Sequence, residues 1–147
     1  MNFSIREATI DDIDQIQLIR RIVNENILLN PELVTNEDCK TFLTQRGKGW
    51  VAFVGDEILG FAIADLMDDN IWALFVHPDH EKKGIGKKLH DTMLKWYFDT
   101  GKHKVWLSTD PGTRAEEFYQ KQSWIRTGEL PNGEVKFEIT SDEWGNR

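Results

Sequence analysis

The chain has 147 residues, of which 39% are hydrophobic and 29% are charged, so it has the size and composition of one globular domain rather than of a disordered segment. Its net charge of -7 argues against a nucleic-acid partner, because nucleic-acid-binding proteins usually present a basic face. The single cysteine, Cys39, excludes an intramolecular disulfide framework. The N-terminus lacks an apolar signal core and no apolar run reaches about 18 residues, which together predict a cytoplasmic protein with no membrane partner.

The first part of the chain predicts one strand and two helices. Alternation of apolar and polar residues over 3–8 indicates the strand. Capping boxes that begin at Thr9 and Thr35 each open a helix. The first helix must stop near Asn30-Pro31, and Gly47 is the natural C-terminal stop of the second.

The middle of the chain predicts a hairpin, a central strand and a long helix. Residues 50–54 and 58–65 form the hairpin around Gly55-Asp56. The apolar run 71–76 lacks alternation, which predicts a central strand buried on both faces. Apolar spacing from Ile85 onward predicts a helix of about four turns that ends at Gly101.

The C-terminal part predicts a strand, a short helix and a second hairpin. The strand covers 105–109, and a third capping box at Thr113 opens the helix. Strands 125–130 and 135–139 are joined across Asn132-Gly133, a strong hairpin signal. The whole order predicts a single domain over 1–147 of class α/β (α+β), with a mixed, mostly antiparallel sheet of six to seven strands and helices on both faces.

The segment Gly84-Ile85-Gly86 lies between the central strand and the long helix and predicts a phosphate-binding site. A helix start offers free N–H groups and a positive dipole end, glycines allow close approach of an anion, and four flanking lysines add charge. Two known phosphate motifs do not fit. Lys88 stands where a P-loop needs a hydroxyl, and Leu89 stands where a dinucleotide fingerprint needs its third glycine.

Two segments resemble the GNAT superfamily of N-acetyltransferases. The first is Leu-Phe-Val-His-Pro at 74–78 with Lys-Gly-Ile-Gly-Lys-Lys-Leu at 83–89, and the second is Ala-Glu-Glu-Phe-Tyr-Gln-Lys at 115–121 before Trp124. The element order is similar to that fold over nearly the whole chain. The resemblance implies a GNAT-like fold and acetyl-CoA as the acyl donor, with no metal.

The resemblance also implies a set of site residues. A bulge should splay the fourth strand from the fifth, so that the pantetheine arm lies in the gap and bonds the main chain of Phe75 and Val76. A main-chain N–H near Leu74 should hold the oxyanion, and the N–H groups of 83–87 should hold the pyrophosphate. Tyr119 is the implied catalytic residue, as general acid to the leaving thiolate. The implied cofactor-binding residues are Leu74, Phe75, Val76, Lys82, Lys83, Gly84, Ile85, Gly86, Lys87 and Thr113.

Three positions depart from the pattern of the family. Glu81 stands where the family usually has Gln or Arg, and we expect its carboxylate to point to solvent, away from the pyrophosphate. Gly112 stands at a frequent Asn, so a side-chain contact to the pantetheine arm is missing. Ser123 replaces a glycine.

A general base and the acceptor site are less well marked. Asp65, Asp68 and Asp69 are candidate bases, but turn formation and solvation explain them more simply, and a water chain needs no base. In the family the acceptor site lies between the first two helices and the central strands, where an aromatic wall with a carboxylate could hold a cation, although the aromatic residues fit a core equally well. The residues in this region are Arg20, Arg21, Asn24, Glu25, Asn26, Trp50, Phe61 and Trp72.

The sequence therefore predicts an acetyl-CoA-dependent N-acetyltransferase that acts by direct transfer to a primary amine of a small molecule or peptide. The alternative is a non-catalytic CoA-binding sensor or regulatory module. The lysine cluster has no interleaved aromatic residues, which argues against single-stranded nucleic acid as a partner. The expected partners are the amine and, as one option, a second copy of the chain in a homodimer.

Overall fold

The computed structural model describes residues 2–23 and 34–145, which form a seven-stranded mixed sheet flanked by helices. The strands are β1 (Ser4–Glu7), β2 (Gly47–Val54), β3 (Glu57–Asp65), β4 (Asn70–Val76), β5 (Lys104–Thr109), β6 (Ile125–Glu129) and β7 (Val135–Thr140). The helices are α1 (Ile13–Val23), α2 (Asn36–Thr41), α3 (Ile85–Asp99), α4 (Arg114–Lys121) and α5 (Ser141–Gly145).

The strand order across the sheet is β1-β2-β3-β4-β5-β7-β6. Neighbouring strands pair antiparallel except for β4 and β5, which run parallel and are connected through α3. A parallel pair needs such a crossover, whereas short connections join the antiparallel pairs β2–β3, β3–β4 and β6–β7. The predicted fold class is confirmed, including the crossover in the middle of the chain.

The sheet separates two hydrophobic clusters. The face beneath α1 and α2 buries Ile16, Cys39 and Phe61 among others, and the opposite face, beneath α3, buries Leu89 and Tyr97 among others. Alternation along each strand sends successive side chains to opposite clusters. Helices therefore cover both faces of the sheet, as predicted.

Two of the three predicted capping boxes form completely. Thr9 and Thr35 each accept a hydrogen bond inside their helix, while Asp12 and Asp38 accept from the capping residue's N–H. At Thr113 the hydroxyl accepts from the N–H of Glu116, but the Glu116 carboxylate accepts from Gly112 N (2.8 Å). Helix α4 therefore has its N-cap hydrogen bond without the reciprocal bond of a capping box.

Gly47 does not end its helix in the predicted way. After Thr41 the chain continues as one π-helical turn, Phe42–Arg46, and Gly47 is extended rather than left-handed. Glycine is required there for another reason, since a Cβ would overlap the carbonyl oxygen of Ala64 on β3. Gly47 thus allows the close pairing that begins β2.

Two further predictions need correction. β4 is not buried on both faces, because Leu74, Phe75 and Val76 at its end are only half-buried. The last hairpin is closed by a loop over 130–134, with Leu130 N bonded to Glu134 O (2.8 Å), and not by a two-residue Asn-Gly turn. The short helix α5 was not predicted, and the predicted stop at Asn30-Pro31 lies outside the described residues.

Within the two described stretches no helix is both long and apolar enough to cross a membrane. No group of three or more potential metal ligands occurs among these residues either.

Candidate functional site

β4 and β5 pair at one end and then separate. Their register contains one residue pair, Asn70 with Trp106, next to which Trp106 N donates to Asp69 O (3.0 Å). On the other side of β4, Ile71 and Ala73 pair with successive residues of β3, so Trp72 is the extra residue of a bulge. The bulge and the gap implied by the resemblance are both present.

The hydrogen-bond alternation of β4 determines which main-chain groups face this gap. His77 N donates to Leu59 O (2.8 Å), so this pair and the alternate pair of Phe75 with Phe61 are the hydrogen-bonded ones. Leu74 and Val76 therefore direct their N–H and C=O groups away from β3, toward the gap. The main-chain groups of Leu74 and Val76 therefore point toward the gap, as their expected roles require. The main chain of Phe75 faces β3 instead and cannot bond a molecule in the gap.

The start of α3 forms the second wall of the site. Gly84 is its N-cap in a left-handed conformation (φ 84°), and no side chain caps the helix. The hydrogen-bond ladder begins with Lys88 N donating to Gly84 O (3.1 Å), so the N–H groups of Ile85, Gly86 and Lys87 have no acceptor within the helix. Unpaired donors and the positive helix end together suit a bound anion.

A cavity of about 480 Å³ lies between the end of β4, the start of α3 and α4. Eight of the ten predicted cofactor-binding residues line it, together with Tyr119. The lining comprises Val23, Leu74, Phe75, Val76, His80, Glu81, Lys82, Gly84, Ile85, Gly86, Lys87, Arg114, Ala115, Glu117, Phe118, Tyr119 and Lys121.

Two predicted cofactor-binding residues are not in this lining. Lys83 directs its ammonium toward His80 Nδ1 (3.5 Å) on the surface of the loop. Thr113 uses its hydroxyl within its own turn, where it donates to Asp110 O (2.7 Å) and accepts from Glu116 N. Thr113 therefore orients α4 rather than contributing to the cavity wall.

Residues of α4 that sequence reasoning did not assign also line the cavity. Arg114, Glu117, Phe118 and Lys121 follow the spacing i, i+3, i+4, i+7, which places them on one helix face. That spacing was visible in the sequence, but it did not reveal which face of α4 meets the cavity.

The two tyrosines of the chain differ in what their hydroxyls contact. Tyr97 donates to Lys104 O (2.8 Å) and is fully buried. Tyr119 is 6% exposed and lines the cavity, and its hydroxyl makes no hydrogen bond with any other residue in the described stretches. Tyr119 is the more buried of the neighbouring pair Phe118 and Tyr119, so it belongs both to the core and to the cavity wall.

An aromatic cluster holds Tyr119 in place. Its ring packs edge-on against Trp124 (5.4 Å between centroids) and Phe118 (5.3 Å). Trp124 Nε1 donates to His90 Nε2 (3.0 Å), so this histidine nitrogen is an unprotonated acceptor, and Nδ1 lies 2.9 Å from the Asp91 carboxylate. His90 is therefore a structural residue behind Tyr119.

Glu81 does not point freely to solvent as expected. Its carboxylate forms an ion pair with Arg114, 33 positions further along the chain, and both residues line the cavity. The pair links the loop before α3 to the first turn of α4. A guanidinium thus neutralises the carboxylate that the sequence placed near a phosphate.

The three acidic candidates for a general base are all engaged. Asp65 is 1% exposed and binds Arg46 through both carboxylate oxygens (3.1 and 2.7 Å). Asp68 binds the same Arg46 (2.8 Å), and Asp69 lies 2.7 Å from the Lys102 ammonium. The structural interpretation of these residues, preferred from the sequence, is supported.

The region expected to hold the acceptor is only partly assembled as predicted. Trp50 packs on the α3 side of the sheet, edge-on to Trp96 (5.4 Å), and is therefore not near α1. Phe61 is core, and Trp72 stacks on Phe42 (3.9 Å between centroids). Arg20 lies against Phe61 and Trp72, while Asn24, Glu25 and Asn26 lie outside the described residues.

Comparison with known proteins gives a family match. The profile of the acetyltransferase (GNAT) family matches residues 12–124. The L-amino acid N-acyltransferase MnaT of Escherichia coli K12 is 30% identical over 66 residues, which are 44% of this chain and 38% of that protein. The matched segments of three curated relatives cover 37–44% of their lengths, so the chain spans about two fifths of the relatives it matches.

Solved structures show the same fold at low sequence identity. The PaiA N-acetyltransferase from Thermoplasma acidophilum, solved in complex with coenzyme A, has a TM-score of 0.76 at 18% identity and covers 95% of this chain and 99% of that chain. A GNAT-family acetyltransferase from Staphylococcus aureus Mu50 has a TM-score of 0.81 at 16% identity, with 95% and 99% covered.

Proposed function

The chain belongs to the acetyltransferase (GNAT) family, and on that premise we propose that it transfers an acetyl group from acetyl-CoA directly to a primary amine of a small molecule or peptide. The observation that carries the proposal is the single cavity wall that combines the free N–H groups at the start of α3, the open main chain of β4 and the Tyr119 side chain. The name of the relative MnaT, an L-amino acid N-acyltransferase, is consistent with a small amine as acceptor.

In this proposal the cofactor binds along the cavity from α3 to β4. The pyrophosphate accepts hydrogen bonds from Ile85, Gly86 and Lys87 N–H groups, and Lys82 and Lys87 add positive charge. The pantetheine amide groups pair with the main chain of Val76, as an added strand would. This arrangement places the thioester beside Leu74, at the middle of β4.

The acceptor amine attacks the thioester carbonyl carbon, and the carbonyl oxygen takes up the negative charge. Leu74 N–H faces the gap and can donate to that oxygen, which is the role of an oxyanion hole. A fixed N–H in a site shielded from water stabilises the developing charge without having to reorient.

Collapse of the tetrahedral intermediate breaks the carbon–sulfur bond and releases CoA as a thiolate, which takes a proton from the Tyr119 hydroxyl. Burial raises the pKa of Tyr119, so its phenol stays protonated at neutral pH. The proton lost by the attacking amine leaves through water and restores the phenol. Tyr119 has no competing hydrogen-bond partner among the described residues, which suits a donor kept for the substrate.

A panel of primary amines tests the proposal. Each amine is incubated with acetyl-CoA, free CoA thiol is measured, and the acetylated amine is identified by mass spectrometry. We expect equal amounts of CoA and acetylated product from at least one amine. CoA binding with no product from small amines or peptides would favour the non-catalytic alternative instead.

A further inference from the structure

Arg20 on α1 is a half-buried cation that pairs with no carboxylate among the described residues. Its Nε and Nη2 atoms are inaccessible to solvent and make no hydrogen bond with any described residue. The guanidinium instead lies over three aromatic rings, 4.8 Å from Trp72, 5.3 Å from Phe75 and 5.8 Å from Phe61.

Other arginines of the described chain show how unusual this is. Arg6 binds the Asp12 carboxylate, Arg46 binds Asp65, and Arg114 pairs with Glu81. Burial lowers the pKa of Arg20, and no carboxylate within the described residues offsets that effect. Cation–π contacts offset only part of the hydration free energy that a guanidinium loses on burial, and the described residues supply no hydrogen-bond acceptor for Nε and Nη2.

The position of Arg20 is next to the proposed cofactor cavity. Val23, one turn further along α1, lines that cavity, and residues three apart share a helix face. The Phe75 ring contacts the Arg20 guanidinium and also lines the cavity. Arg20 as a residue is half-buried, so its side chain borders solvent, and an acceptor reaches the covered Nε and Nη2 atoms when that side chain shifts toward the cavity.

We propose that Arg20 binds a carboxylate of the acceptor, so that the substrate is a small amine that also carries a carboxylate, as an amino acid does. The planar guanidinium offers two parallel N–H donors that match the two oxygens of a carboxylate. Bound in this way, the carboxylate fixes one end of the acceptor beside Phe75, and the amine at its other end reaches the thioester across that ring.

This inference rests on the proposed acetyl transfer and narrows its substrate class. It also replaces the sequence-based expectation of a cation on the aromatic wall, because the wall already holds the protein's own cation. An anionic acceptor group, not a cationic one, complements that arrangement.

Matched acceptor pairs provide the test. Methionine, phenylalanine and glutamate are compared with their carboxamides and with the corresponding decarboxylated amines, at fixed acetyl-CoA. For the acids that are used, we expect kcat/KM to exceed that of the carboxamide by about 10–100-fold, the usual value of hydrogen bonds to a charged group. In Arg20→Gln this preference should fall to nearly one, mainly through KM.

Two further measurements separate this role from a structural one. Arg21→Gln, next in sequence but exposed, should keep the preference for the acid. Arg20→Met keeps the apolar stem and removes the unpaired charge, so its Tm should equal or exceed that of the wild type.

The inference is overturned if the wild type uses carboxamides as well as acids, if the preference survives in Arg20→Gln, or if Arg20→Met unfolds at a clearly lower temperature. Failure of the proposed acetyl transfer would be seen separately, as a lack of acetylated product from the acids, the carboxamides and the decarboxylated amines alike.

Discussion

At the scale of single residues, Tyr119 and Tyr97 form a matched pair for testing acid catalysis. Both are buried phenols, but among the described residues an acceptor is present only for the Tyr97 hydroxyl, namely the carbonyl oxygen of Lys104. Removing one hydroxyl should therefore affect chemistry, and removing the other should affect stability.

Tyr119→Phe should lower kcat about 10²–10⁴-fold, because general acid assistance to the leaving thiolate is lost while the ring packing is kept. Acetyl-CoA affinity should change little. Tyr97→Phe should keep kcat and lose about 1 kcal/mol of unfolding free energy through its hydrogen bond. Steady-state kinetics with calorimetric titration checks both, and a fully active Tyr119→Phe enzyme would return Tyr119 to a packing role.

The pH dependence of kcat follows from the same residue. The active form of Tyr119 is the protonated one, and burial raises the pKa above its ordinary value of 10.0. The acid thus remains available at higher pH than an exposed phenol would. We expect activity to rise as the acceptor amine loses its proton and then to stay level up to about pH 10. A descending limb below that pH, absent from Tyr119→Phe, would contradict this.

Glu81 should oppose cofactor binding. Its carboxylate lines the cavity and occupies Arg114, which otherwise could reach a phosphate. Glu81→Gln should therefore lower the Kd for CoA by about 2–5-fold, a modest value because the pair is partly exposed. Glu129→Gln breaks an exposed pair with Arg126, and since neither residue lines the cavity this variant serves as the control. Equal Kd values for the two variants would show that Glu81 has no electrostatic influence on the site.

At the scale of elements, short sequence motifs predicted the features that depend on contacts between residues close in sequence. The caps at Thr9, Thr35 and Thr113 were readable because a capping residue and its partner lie within three or four positions. The ion pair of Glu81 with Arg114 could not be predicted from the sequence, since it depends on how α4 packs against a loop that is distant in sequence. The face of the sheet on which Trp50 lies depends on which residues of β2 point toward α1 and which toward α3. The residue type alone does not determine this.

Gly47 tests the junction between the π-helical turn and β2. Gly47→Ala should lower the free energy of unfolding by about 3 kcal/mol, because the new Cβ overlaps the Ala64 carbonyl oxygen on the neighbouring strand. Urea denaturation measures the change. Gly128→Ala is the control, since a Cβ there meets nothing and should cost no more than about 0.5 kcal/mol. Similar losses for both variants would mean that β2 can shift to relieve the overlap.

At the scale of the molecule, the site results from a break in the sheet. β4 and β5 share one residue pair, and the open edge of β4, the start of α3 and one face of α4 then surround the cavity. The resemblance of two motifs predicted this arrangement, and eight of the ten residues predicted to bind the cofactor line the cavity. The acceptor side was less predictable, because it depends on contacts between α1 and β4 that no motif encodes.

The central claim is that acetyl-CoA binds in this cavity with its pyrophosphate at the start of α3. Gly86 lies there, and a Cβ at this position would make only an ordinary contact with Val76 Cγ2 (3.6 Å), so a side chain can fill the phosphate's place without disturbing the protein. Gly84 is a poorer probe because its left-handed φ would strain any replacement.

Calorimetric titration of acetyl-CoA into the wild type, Gly86→Val and Gly128→Val tests the claim most directly, with Tm measured for all three. We predict one binding site in the wild type and in Gly128→Val, and no detectable binding in a folded Gly86→Val. Unchanged affinity in a folded Gly86→Val would contradict the account, because the pyrophosphate would then have to lie elsewhere.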